Sequence, residues 1–296
     1  MAAEALGAAV APVPFLGLAM ATLAVLRVGT PGQQDLWLPR IADSEALFGV
    51  GFGGLAGQTG ETRVTFADGH LTGRVSGAVD CGMCSHLLVV LADGQMVIVP
   101  ADDPGVRMTP RHSLDRTTPV TDLEFDAAPA ELLSAVNAPL ENALRVLDAG
   151  RVLVAAGTLG AAQTMLDRAV DFAKQRVQFG RVIGSFQGLQ HRLADLHVLV
   201  ESARSLSYAA AEAAADDAPD LGLQAAAARA SCSEALSRAA AEMIQMHGAI
   251  GITWEHDAHR YFKRAHGDAQ LLGPPSEHVA RIAAALLDPS PAQGTP

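Results

Sequence analysis

Hydrophobic positions change their period twice along the chain. From Phe15 to Val28 they are nearly continuous, which predicts a buried helix that starts after Pro14 and ends before Gly29, Pro31 and Gly32. Between residues 45 and 126, short runs of Val, Leu and Phe alternate with turn residues. Arg63–Phe66, Leu87–Leu91, Met96–Val99 and Val120–Phe125 read as strands, with Ala67-Asp68-Gly69 and Ala92-Asp93-Gly94 as hairpin turns. From Pro139 the period becomes helical. Leu140, Leu144, Leu147, Val152, Val154, Leu159, Leu166 and Val170 keep one apolar stripe to about Lys174. Further helices are predicted from about Leu189 to Ala215, Leu221 to Met246, His256 to Gln270 and Glu277 to Leu286.

This pattern predicts an α+β fold with four parts. A helical segment covers 1–44, a small antiparallel β domain 45–130, and a C-terminal up-down four-helix bundle 131–288. The tail, 289–296, is expected to be disordered.

Composition narrows the function. The chain has 296 residues, 49% hydrophobic but only 4% aromatic, so alanine and leucine do the packing, which favours helices. The net charge of −11 supplies no basic stripe and argues against nucleic acid as a partner. Three cysteines, Cys81, Cys84 and Cys232, do not make a disulfide framework and fit a reducing cytoplasm. Residues 5 to 26 carry no charge, yet Pro12 and Pro14 interrupt them and Glu4 precedes them. A buried helix is therefore expected there, not a membrane span or an export signal.

Several motifs resolve to bland readings. Gly49-Val50-Gly51-Phe52-Gly53-Gly54 matches G-x-G-x-x-G, but Leu55-Ala56-Gly57-Gln58-Thr59-Gly60 is too glycine-rich to be the helix a dinucleotide site needs next, so a flexible loop is expected. Cys81, Cys84 and His86 lack the fourth ligand of a zinc site. His256, His259 and His266 are flanked by Arg260, Lys263 and Arg264, which repel a cation, so a solvated face and no metal are expected. No G-x-S-x-G or P-loop is present.

Residues 176–187 are more informative. Arg176 offers a fork of donors for a pyrophosphate, Phe179 a flat face for a heterocycle, and Gln187 a polar edge. A second polar, glycine-bearing turn at Gln245-Met246-His247-Gly248-Ala249-Ile250-Gly251 ends the third long helix. Two such turns on one bundle suggest a cofactor cradle.

Together these residues resemble the acyl-CoA dehydrogenase family. Arg176-Val177-Gln178-Phe179-Gly180, then Phe186-Gln187 and Leu193-Ala194-Asp195, are similar to the family's R-x-x-F-G…Q…L-A-D signature. Gln245 to Gly251 resembles its Q-x-x-G-x-x-G stretch, and Arg151 stands where the family opens its first long C-terminal helix with arginine. The resemblance implies a helical domain (here shortened), a β domain and a four-helix bundle. It also implies an FAD lying across a subunit boundary. Arg176, Gln178, Phe179, Gln187, Gln245, Gly248 and Ala249 would hold the adenosine pyrophosphate end of that FAD.

The departures matter as much. The family's general base is a glutamate at one of two places, and here both are glycine: Gly150, just before Arg151, and Gly273, in Gly273-Pro274-Pro275-Ser276-Glu277. Glu277 is four positions off and is expected to point elsewhere. The stretches that would face the flavin ring are replaced by Gly77-Ala78-Val79 and Phe52-Gly53-Gly54-Leu55. The resemblance therefore narrows to the base-lacking subunit of α2β2 acyl-CoA dehydrogenases of the steroid side-chain type. It implies a full-length family partner carrying most of the acyl-CoA site, and electron-transfer flavoprotein as acceptor. A homo-oligomeric relative using another base, with His247 or His266 as candidate, and a flavin-free assembly subunit are the alternatives.

Overall fold

Strand β1 (Phe48–Gly53) overturns the expectation of a flexible glycine loop. Its sequence alternates a large residue with glycine, a period of two, and all six residues are buried. A Cβ at Gly49 would stand 2.9 Å from Cys81 Sγ, one at Gly51 2.9 Å from Val75, and one at Gly53 2.8 Å from Val64. The glycine face of β1 is thus pressed flat by its neighbours, while Phe48, Val50 and Phe52 fill the other side.

The computed structural model describes residues 1–55, 62–133 and 138–287, so the tail at 289–296 lies outside it. The chain forms two units, Pro12–Gly150 and Met1–Ala11 with the residues from Arg151 onward.

In the first unit, β1 sits inside an eight-stranded sheet with β2 (Arg63–Ala67), β3 (His70–Val79), β4 (His86–Leu91), β5 (Met96–Pro100), β6 (Val106–Pro110), β7 (Val120–Pro129) and β8 (Glu131–Leu133). The order is β6-β7-β3-β1-β4-β5-β8, with β2 on β3. All pairs are antiparallel except β1 and β4, which run parallel from Phe48↔His86 to Gly53↔Leu91. The sheet is therefore mixed, a correction to the antiparallel domain expected. The physical reason is that β1 reaches β4 through the β2–β3 pair, and no hairpin fixes its direction. Asp68 and Gly69 turn the β2–β3 hairpin at φ of +51° and +77°, as the sequence suggests.

Helix α2 (Phe15–Val28) packs on β1, and its Gly17 N–H donates to the Asp80 carboxylate at 2.8 Å. Helix α3 (Pro31–Ala42) opens on a capping box between Thr30 and Gln33, with Pro31 in the first turn. Its Trp37 indole donates to Glu131 at 3.2 Å and packs edge-on against Phe48.

The second unit is helical. Helix α4 (Pro139–Gln175) contributes its length from Arg151. With α5 (Gln187–Ala215), α6 (Leu221–His247) and α7 (Ala258–Gln270) it encloses a core rich in alanine and leucine, and α8 (Pro275–Leu287) packs on α6. Short α1 (Ala2–Ala8) joins this unit at a glycine crossing: a Cβ on Gly7 would lie 1.9 Å from the Gly157 carbonyl. Glu4 pairs with Arg204 at 3.1 Å and accepts from the Tyr208 hydroxyl at 3.1 Å, and the Tyr261 hydroxyl donates to the Ala8 carbonyl at 2.7 Å. Among the described residues, no helix is long and apolar enough to cross a membrane.

Candidate functional site

The link between α4 and α5 is a miniature hairpin. Strands β9 (Val177–Gln178) and β10 (Arg181–Val182) pair antiparallel, and the Ile183 amide closes the base on the Arg176 carbonyl at 2.8 Å. Phe179 and Gly180 make the turn at φ of +55° and +79°. A left-handed phenylalanine costs about 1–2 kcal/mol, and strain of this kind collects where function requires it. It leaves the Phe179 ring 90% exposed, supported from behind by Phe186 at 6.2 Å edge to face. Arg181 stacks on Phe186 in turn, its guanidinium 3.9 Å from the ring.

Arg176 is exposed, and its guanidinium makes no hydrogen bond or ion pair with any described residue. Gln178 and Gln187 are exposed as well. These donors are thus free to meet something outside the bundle.

The second turn is brought to the same end. Phe172, one helical turn before Arg176, stacks on His247 with ring centroids 3.9 Å apart. His247 stands between Gln245 and Gly248, so this stack joins the two segments that the sequence singles out. Its Nδ1 lies 2.9 Å from the Met243 carbonyl, and His256 approaches its ring at 4.4 Å. Burial and then the neighbouring His256 hold the His247 imidazole below the usual range, with the Met243 carbonyl opposing them. Gly248 turns at φ +64° with open space around its Cβ position, and Gln245, Gly248 and Ala249 are exposed. The Phe172–His247 joint is invisible in the sequence, although Phe172 lies four residues from Arg176 on the same helix face.

The glycine positions form a different kind of site. Gly273 turns at φ +112°, and a Cβ there would stand 3.1 Å from Glu277 Oε2. The expectation that Glu277 points elsewhere is thus corrected. It lies in the first turn of α8, where side chains lean back toward the helix N-terminus, so its carboxylate returns over Gly273. Arg151, 2% exposed, holds it at 3.3 Å and donates Nε to the Leu272 carbonyl at 2.9 Å. Gly150 precedes Arg151 within α4.

Two more buried groups hold the same loop. Arg229, fully buried, donates to the Asp268 carbonyl at 2.6 Å and the Leu271 carbonyl at 3.0 Å. Burial pushes its pKa down to about 10. His278, also fully buried, has Nε2 3.1 Å from the Gly273 carbonyl. Burial, then Arg229 and Arg151, push its pKa down to about 4. Neither residue carries a sequence motif, but a charged group inside an alanine-rich helix is the signal that could have found Arg229.

Contrary to the expectation from the sequence, the three histidines near α7 do not share one solvated face. His259 is 9% exposed, packs edge-on against Trp254 at 4.7 Å, and neither ring nitrogen has a hydrogen-bond partner. Among the described residues, no three metal-ligating side chains come together.

A helical bundle that presents a bare phenylalanine, a free arginine and an open glycine turn at one end can grip a flat, anionic ligand by its edge. An adenine-pyrophosphate group has that chemistry, and the residues fit it. The region 140–287 matches the family model described as acyl-CoA dehydrogenase, C-terminal domain. The chain is 38% identical over 279 residues to acyl-CoA dehydrogenase IpdE2 of Mycobacterium tuberculosis, covering 94% of this chain and 74% of that one. Among solved structures, a variant of the Tcur3481–Tcur3483 steroid ACAD aligns with a TM-score of 0.85 at 29% identity, covering 97% of this chain and 79% of that one. The ChsE4–ChsE5 complex from Mycobacterium tuberculosis aligns with a TM-score of 0.85 at 28% identity, covering 98% of this chain and 80% of that one. The chain belongs to the acyl-CoA dehydrogenase family.

Proposed function

We propose that this chain is the base-lacking subunit of an FAD-dependent acyl-CoA dehydrogenase. It completes the adenosine-pyrophosphate half of an FAD site whose reactive half lies in a catalytic partner subunit. When bound, FAD supplies the hydride acceptor. Arg176 would pair with the pyrophosphate, Phe179 would pack on the adenine end, and Gln178, Gln187, Gln245 and the Gly248-Ala249 backbone would complete the grip. The observation that carries this reading is a contrast. The exposed side chains of the two turns are free to meet a ligand, while Gly150 and Gly273 offer no side-chain proton acceptor. Two of the similar structures, Tcur3481–Tcur3483 and ChsE4–ChsE5, are named as pairs of chains, which supports an α2β2 assembly. The likeness to a steroid ACAD makes a steroid-derived acyl-CoA the first substrate to try, with electron-transfer flavoprotein as acceptor.

Co-expression with a full-length family partner tests this. The isolated chain is expected to be colourless and inactive, and the complex yellow and active. Stoichiometric FAD and acyl-CoA dehydrogenation by the chain alone would sink the proposal. One observation favours a second reading, in which Glu277 is a displaced base: its carboxylate stands over Gly273. The same complex carrying Glu277→Gln separates the two.

A further inference from the structure

The Cys81–Cys84 segment has no part in the proposed FAD site, yet its geometry is specific. Asp80 enters at φ +59° and is fixed by the Gly17 amide on its carboxylate at 2.8 Å. Cys81–Met83 then form one 3-10 turn, and Cys84 leaves it in extended conformation. In such a turn residues i and i+3 eclipse and rise roughly 2 Å each, which sets the two Cα atoms about 6 Å apart. That separation is one a disulfide spans.

The side chains agree with the backbone. The Cys84 thiol donates to the Cys81 carbonyl at 3.3 Å, and the Cys81 thiol donates to the Val79 carbonyl at 3.4 Å. Cys81 is backed by β1, where a Cβ at Gly49 would meet its sulfur at 2.9 Å, so it is confined on that side. Cys81 is 3% exposed, whereas Cys84 is half-buried and reachable. His86, the candidate third ligand, is turned to other work. Its Nδ1 lies 2.9 Å from Ser85 Oγ, and its ring packs against Trp37 at 4.8 Å and Phe48 at 5.5 Å.

The neighbouring Cys81 side chain, opposed by burial, lowers the Cys84 thiol below its ordinary range. The same contact, with burial and Asp80, raises Cys81. Cys84, half-buried, is the sulfur an outside disulfide meets first, and Cys81, 3% exposed, can only follow it.

We propose that Cys81 and Cys84 form a redox-active dithiol that closes to an intramolecular disulfide on reaction with a low-molecular-weight disulfide such as oxidised glutathione. Cys84 thiolate attacks one glutathione sulfur, forming a mixed disulfide and releasing the first glutathione thiolate. The Cys81 thiol must then give up its proton, which it holds on the Val79 carbonyl at 3.4 Å. That proton passes to the released thiolate, and Cys81 attacks Cys84 Sγ and expels the second glutathione. The dithiol loses two electrons and two protons, and one oxidised glutathione becomes two reduced molecules.

The test is intact and peptide mass spectrometry of the full chain after incubation with excess oxidised glutathione and an acid quench. The wild type is expected to lose two hydrogens and yield a peptide cross-linked between Cys81 and Cys84. Cys232 is fully buried with its thiol pushed up to about 12, and it should remain free for alkylation after denaturation. Cys81→Ser should stop at one glutathione on Cys84, and Cys84→Ser should not react. A wild type that keeps both thiols, or that accumulates a stable glutathione adduct at either cysteine, overturns the proposal.

Discussion

The Glu277 carboxylate occupies the space that a side chain at Gly273 would need, and Arg151 holds it there at 3.3 Å. The carboxylate of a residue four positions on has folded back over the glycine turn. That carboxylate is tied to a cation and lies in the first turn of a helix, where the macrodipole favours negative charge.

In the assembled complex, Glu277→Gln is expected to change turnover by less than about threefold. Loss of a working general base costs about 10²–10⁴-fold. A loss of that size, with flavin content unchanged, would transfer the base to this chain. Arg151→Ala is a different matter. It strips the donor from the Leu272 carbonyl and the partner from Glu277, which is 34% exposed, and is expected to destabilise the chain by about 1–3 kcal/mol in denaturant titration.

Arg176→Ala and Phe179→Ala should separate binding from folding. Both side chains are exposed, and Phe179 has only Phe186 as an aromatic neighbour among the described residues. The melting temperature of the isolated chain should therefore hardly move. Flavin retained by the purified complex should fall about tenfold or more for Arg176→Ala, since a charge-assisted hydrogen bond contributes about 1.5–3 kcal/mol, and by a smaller factor for Phe179→Ala, since an aromatic pair contributes about 0.5–1.5 kcal/mol beyond its buried area. Equal flavin content in wild type and both variants would place the cofactor elsewhere.

The helices are legible because their apolar stripes are long, and the α2 and α6 starts, Phe15 and Leu221, fall where the pattern places them. The hairpin at Asp68-Gly69 is legible from its turn chemistry. Strand β1 is not, because glycine is disfavoured in strands by entropy and only the neighbouring Cys81, Val75 and Val64 reveal why it is needed. Its parallel pairing with β4 is likewise a property of the path, not of either strand. At the site, Arg176 and Phe179 stand out as a charged and an aromatic residue in a connection. The return of Glu277 over Gly273 depends on the direction side chains take in a first helical turn, and the Phe172–His247 stack on which helix ends lie together.

Gly51→Val tests the glycine face of β1. The nearest atoms to the added Cβ belong to Val75, Ala78 and Leu123, all buried, with the first at 2.9 Å. Overpacking of this kind costs about 1–3 kcal/mol. The denaturation midpoint should drop accordingly, whereas Gly32→Ala, with nothing within 4 Å of the new Cβ, should leave it nearly unchanged.

His278 gives the fold an acid sensitivity whose sign can be worked out. Its pKa is about 4 in the folded chain, against 6.5 for an unperturbed histidine. Between those values the unfolded chain carries a proton there that the folded chain does not. Stability is therefore intact above about pH 6.5 and declines as pH falls toward 4, by about 1–3 kcal/mol in total. The groups that set this are burial, Arg229, Arg151 and Arg281, all disfavouring the charged ring, against the Gly273 carbonyl, which favours it. Comparison of urea midpoints at about pH 7.5 and about pH 5 for wild type and His278→Gln isolates the effect from carboxylates that titrate in the same range. The wild type should lose more stability over that interval than the variant. Equal losses would mean that His278 takes up its proton without opening the loop between α7 and α8.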